Sequence, residues 1–260
     1  MLLLKDDNFY GLAAPLHFLS KLLGLTSFSI QKEKGKFVAK VTFFNAFCIL
    51  ISTVCCIFST IFFASFYNEL SAYLDRLKSS EMFKSCILFT GFSFLYVALL
   101  TNWWTLCHRK SFVSIFVAFQ ELDEGLEAFN IQLKLPRQKR IVWKIISVTV
   151  FLVLLNILMT YFFLIERMKR TVCFTFITIW IYFATMVFCF VQFSCLTWSV
   201  KFRYVKINEF LSENFVMENS EKLSNKNLGK IAKLHDKLVD ITEIINRCYG
   251  IPVNISVISS

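Results

Sequence analysis

The sequence predicts an all-α, polytopic helical membrane protein with four full transmembrane helices, the start of a fifth, and a cytosolic amino terminus. Three observations carry that prediction. Residues 172–200 contain no Asp, Glu, Lys, Arg or His, and Gln192 is their only strongly polar side chain apart from hydroxyls. As a helix this stretch would be roughly 43 Å long, against a hydrocarbon core of about 30 Å. The composition is 56% hydrophobic and 18% charged, with 31 Phe but 7 Gly and 3 Pro. Long continuous apolar runs dominate it, whereas barrel strands alternate over short segments split by turns. Finally, Lys and Arg crowd alternate connectors: six, six and nine in residues 1–40, 107–140 and 201–260, against two and three in 67–81 and 166–171. Basic connectors stay inside, which puts the first residue in the cytosol.

The elements follow in order. Residues 9–30 are apolar but punctuated by Gly11, Pro15, His17, Lys21 and Gly24, which suits an interfacial or re-entrant segment better than a span. Residues 31–40 form a basic edge, closing an amino-terminal segment over 1–40. A four-span bundle over 41–200 comes next, with spans at about 41–66, 82–106, 141–165 and 172–200. Lys84 and Lys144 lie close enough to span entrances to snorkel outward. Trp103, Trp104, Trp143 and Trp198 mark span ends, where amphipathic rings sit at headgroup level. The mixed-charge loop 107–140 is helical in its middle, about 111–130.

Residues 201–247 form a cytosolic helical extension. Leu228, Ile231, Leu234, Leu238, Ile241 and Ile245 recur at helical spacing, with charged residues mostly opposite. Acids interleave with the lysines, so the face is expected to pack against another cytosolic helix rather than lie on anionic lipid. Residues 248–260 open a fifth span that the chain does not complete.

The net charge of +10 falls between apolar spans, so topology accounts for it and nucleic acid is not an expected partner. Most of the nine cysteines lie in apolar runs without metal-ligand spacing and read as small apolar side chains. His17, His108 and His235 are scattered, and no nucleophile motif or phosphate loop occurs. No catalytic residue, metal site or cofactor is expected, and the protein is not expected to be an enzyme.

For a small-molecule pocket the candidates are polar side chains beside aromatic ones in the spans. Asn156, Thr160 and Tyr161 lie together on span 3, and Thr178, Tyr182 and Thr185 line one stripe of span 4 with Trp180 nearby. A few placed hydroxyls and amides in an apolar cavity would orient a ligand. The competing reading is hydrogen bonding between helices or back to a residue's own helix. Two stripes facing one another would favour the pocket.

Leu234-His235, Leu238, Ile245-Asn246 and Tyr249-Gly250 resemble the signature that precedes the fifth span of insect gustatory receptors. Arg203-Tyr204, Ile207-Asn208 and Leu211 look like the pattern that follows that family's fourth span, and Pro15-Leu16, Gly24-Leu25 and Phe28 are similar to its amino-terminal stretch. The resemblance covers the whole chain. It implies a seven-span chemoreceptor at the plasma membrane, related to odorant receptors and working in a tetramer of gustatory receptor subunits as a tastant-gated cation channel. Arg203, Tyr204, Asn208, Leu234, His235, Leu238, Asn246 and Tyr249 would then serve assembly. The pore of the family lies in its last span; because this chain stops in the fifth, no pore residue is carried over, and a short isoform or fragment without current of its own is expected. The alternative is a non-conducting accessory subunit that dampens its partners, or an odorant-receptor relative.

Overall fold

The computed structural model describes residues 9–22, 28–33, 36–40, 43–65, 72, 81–131, 133, 135–165, 170–216 and 225–259. Helix α1 (Phe9–Leu22) is followed by strands β1 (Ser29–Glu33) and β2 (Lys36–Lys40) and then by α2 (Phe43–Ser65). The remaining helices are α3 (Glu81–Cys107), α4 (Arg109–Glu127), α5 (Leu135–Ile165), α6 (Arg170–Val216) and α7 (Asn225–Ser259). Four apolar helices therefore stand where the sequence predicts spans. The loops expected at 67–81 and 166–170 fall almost wholly outside the described residues.

Exposure separates the two ends of the molecule. Among the described residues, Leu135–Met159 and Tyr182–Glu213 are long and apolar enough to cross a membrane. On α5 the side chains of Val148, Phe151, Leu154, Leu158 and Met159 are all exposed, as are Leu50, Ile57, Phe58 and Ile61 on α2. So many exposed large apolar side chains on each helix fit a lipid face better than water. Trp143 and Trp103 are exposed near the end of this band, where an indole can keep its N–H in the headgroup region.

The other end holds the dense core. Helix α7 packs on α4, α6 and α3, while α1 lies against α5, α4 and α6. Phe119, Leu122, Leu126, Leu238, Ile241 and Cys248 there are wholly buried. The predicted amphipathic stripe is the face that packs: Ile231, Leu234, Leu238, Ile241 and Ile245 are all buried, with charged neighbours such as Lys230, Lys233 and Glu243 exposed. Helix-on-helix packing, not a lipid surface, is its environment.

Local signals end α4 cleanly. Asn130 adopts φ 57°, a left-handed conformation that Asn tolerates better than most side chains. Its N–H donates to Glu127 O at 2.8 Å, and the Ile131 N–H donates to Leu126 O at 3.1 Å. This is a Schellman closure, with buried Ile131 and Leu126 as its apolar pair.

Two features add to the sequence reading. The basic edge at 31–40 is an antiparallel hairpin, Ser29 opposite Lys40 and Glu33 opposite Lys36, and β2 packs on α4. Neither boundary at 200/201 or 247/248 is a break: α6 passes through the first and α7 through the second as single helices. The backbone bonding of a helix is indifferent to the change from lipid-facing to water-facing side chains, so polarity switches without a joint.

Candidate functional site

The site is built where α6 leaves the apolar band. Arg203 sits one turn beyond Ser199 and is fully buried. Its Nε donates to Asp123 Oδ1 at 2.7 Å, its Nη2 to Asp123 Oδ2 at 2.8 Å, and its Nη1 to the Ser199 carbonyl at 3.0 Å. The guanidinium carbon lies 4.7 Å from the centroid of the Phe119 ring. Phe119 and Asp123 are four apart on α4, so one helical face presents both the ring and the carboxylate. Planar Arg fits this two-pronged clamp; a Lys ammonium would not.

Around the clamp α4, α6 and α7 close into a seam. The Tyr204 ring meets the His235 ring edge-on, with centroids 5.3 Å apart. Gly125 lets α4 approach α7: a β-carbon there would lie 2.5 Å from Leu234 Cδ2. Ile207 and Leu238 are buried in the same core. Exposed Lys237 pairs with Glu121 at 2.9 Å, a surface contact of small energetic weight.

A second polar junction ties α1 to α6 and α7. Gln192 donates from Nε2 to Ser20 Oγ, and Ser20 donates to the Leu16 carbonyl at 2.7 Å. The Tyr249 hydroxyl donates to Gln192 Oε1 at a long 3.4 Å. All three side chains are buried, which makes each hydrogen bond costly to lose. Phe112 meets the Tyr249 ring edge-on at 5.2 Å. A cavity of about 30 Å³, lined partly by His17, Gln192 and Tyr249, opens beside them, room for about one water molecule. Burial, then Lys21, holds the His17 pKa down to about 4. Nearby, Trp104 Nε1 donates to the Cys248 carbonyl at 3.0 Å and fastens α3 to α7.

Of the predicted assembly residues, Arg203, Tyr204, Leu234, His235, Leu238 and Tyr249 line these contacts, with Arg203, Leu234, Leu238 and Tyr249 buried. Asn208 and Asn246 are exposed. The predicted ligand stripes sit in different surroundings. Asn156 is exposed and donates to its own Leu152 carbonyl at 2.9 Å, and exposed Tyr161 lies in a shallow groove formed by α5 alone. Tyr182 and Thr185 are buried on α6, Tyr182 packing with Cys56 of α2 and Leu99 of α3. Trp180 is half-buried beside Phe183. The side chains of Thr160 and Thr178 fall outside the described residues.

Asp123, Ser20 and Gly125 were not singled out in the sequence. The one available signal was the Phe119–Asp123 spacing; the partner is 80 positions away from Asp123 along the chain. Chemically the site is a set of fixed dipoles and one clamped ion pair, suited to joining elements. Among the described residues no group of three or more His, Cys, Asp or Glu is placed to hold a metal. Compared with known families, residues 13–260 match the model described as 7tm Chemosensory receptor. A comparison with curated proteins finds no match.

Proposed function

Since the chain belongs to the 7tm chemosensory receptor family, we propose that it is a gustatory receptor subunit. It detects small tastants and works in a ligand-gated cation channel assembled with other gustatory receptor subunits. It lies in the plasma membrane with a cytosolic amino terminus, four complete spans (α2, α3, α5 and the first part of α6) and a fifth entered by α7. The alternating Lys and Arg counts support this orientation.

The observation that carries the reading is the seam between α4, α6 and α7. The residues that resemble the gustatory signature line it: Arg203 ties span 4 to α4 through Asp123, while Tyr204, Leu234, His235, Leu238 and Tyr249 knit span 4 and α4 to the helix leading into the next span. A ligand that prefers one position of α6 shifts the population of the assembly through that seam. The inward stripe of α6, with Tyr182 and Thr185, is our choice for tastant contact. Asn156, Thr160 and Tyr161 would join it only through rearrangement or a neighbouring subunit.

Co-expression with a conducting gustatory receptor subunit tests this. The chain should co-purify with its partner and alter the dose dependence of the tastant-evoked current, and Asp123→Ala should remove that effect. An unchanged current together with no co-purification would refute the subunit role.

A further inference from the structure

We propose that the groove between α2 and α3 is a binding site for a flat, largely apolar alcohol dissolved in the bilayer, the chemistry of a membrane sterol. The groove measures about 410 Å³ and is lined by Cys56 and Thr60 of α2 and by Phe89, Phe92, Ser93, Tyr96 and Leu99 of α3. Small-molecule sites commonly span about 300–1,000 Å³. Its origin is local. Cys56 and Thr60, four apart on α2, are small, while Phe89, Phe92, Tyr96 and Leu99 recur at helical spacing on α3. Small side chains opposite an aromatic stripe leave a slot, and ring faces favour a flat partner.

Its polarity sets the occupant. Thr60 uses its proton on the Cys56 carbonyl at 2.8 Å, so its oxygen is left as an acceptor for a ligand hydroxyl. Among the described residues Ser93 and Tyr96 have no hydrogen-bond partner, and their hydroxyls can donate to the same oxygen. One ligand hydroxyl would satisfy this group, whereas a sugar would leave most of its hydroxyls against phenyl rings. The inner end closes on Tyr182 of α6, which packs with Cys56 and Leu99. Phe89, Phe92 and Tyr96 of its lining are exposed, so entry is sideways from lipid.

The test uses the whole chain in lipid nanodiscs with a trace of a diazirine-bearing cholesterol probe, activated by light and mapped by mass spectrometry. Labelling should concentrate in peptides from 43–65 and 81–107 and fall when unlabelled cholesterol is added in excess. Ser93→Trp, which fills the slot, should abolish it. Tyr96→Phe, which keeps the shape and removes one donor, should weaken competition about fivefold. Val148→Trp on the lipid face of α5 should change nothing. Labelling that is equally strong along α5, or undiminished by excess cholesterol, would mean ordinary annular lipid and overturn the proposal. The readout needs no current, so its failure leaves the subunit role standing.

Discussion

At the scale of single residues, Arg203 carries the largest energetic stake. Both carboxylate oxygens of Asp123 are engaged by the buried guanidinium, so removing one partner strands the other. Asp123→Ala should lower stability by about 3–5 kcal/mol, and replacing both residues by Leu should cost less than that single change. Thermal unfolding in detergent, followed by size-exclusion, compares them; equal loss in both would show that the pair matters for packing alone. Arg203→Lys should behave closer to the Ala variant than to the parent, because one ammonium cannot span both oxygens. Arg203 is conspicuous in the sequence as a cation just beyond an uncharged run. Asp123 is one acid among several on a mixed-charge helix, and only the fold selects it.

His17 supplies a pH dependence at the same scale. Its folded pKa of about 4 lies below the ordinary 6.5, so the seat of α1 accepts the neutral ring. Lys21 on its own helix adds repulsion, while the rings facing it, Phe28 at 5.7 Å among them, offer no counter-charge. The stabilisation is complete above pH 6.5 and drains away as pH falls toward 4, by roughly 3 kcal/mol over the window. Hydrogen exchange across 9–22 should accelerate over that interval, and His17→Phe should flatten the trend. A parent protein whose exchange protection is constant from pH 7 to 4 would contradict this.

At the scale of elements, α7 shows how well periodicity can forecast packing. Its apolar stripe was legible because every third or fourth residue is aliphatic, and that stripe is buried against α4 and α6. Leu238→Ala should therefore cost about 2–5 kcal/mol, whereas Val239→Ala, one position on and exposed, should stay within about 0.5 kcal/mol. A comparable melting shift in the two variants would show that the stripe is not the packing face. The hairpin escaped notice for a definable reason. Lys32, Lys34, Lys36 and Lys40 obscure the short alternation, and five-residue strands offer little pattern to set against so much charge. Whether the two polar stripes face one another was not legible, because spacing along a helix tells which residues share a face, not which way that face turns. Asn156 could bond back to its own backbone and so needed no neighbour.

At the scale of the whole molecule, an all-α membrane architecture was readable from hydropathy alone, since lipid admits few backbone solutions. Sidedness rests on the basic connectors and has a direct check. An epitope ahead of residue 1 should be reached by antibody only after cells are permeabilised, and staining of intact cells would reverse the threading. The three-way junction of α1, α6 and α7 was hidden, because hydrogen bonds such as Gln192 to Ser20 join positions far apart in the chain.

The unbroken 47-residue length of α6 has one last implication. Its roughly 70 Å make it a lever: a 5° rock about the middle would carry each tip about 3 Å, half a helical turn. Were a joint present near residue 200, the swing of one arm would be absorbed there. Without one, a nudge of sub-ångström size near Tyr182 arrives at the far tip as a displacement in the opposite direction, and with more travel.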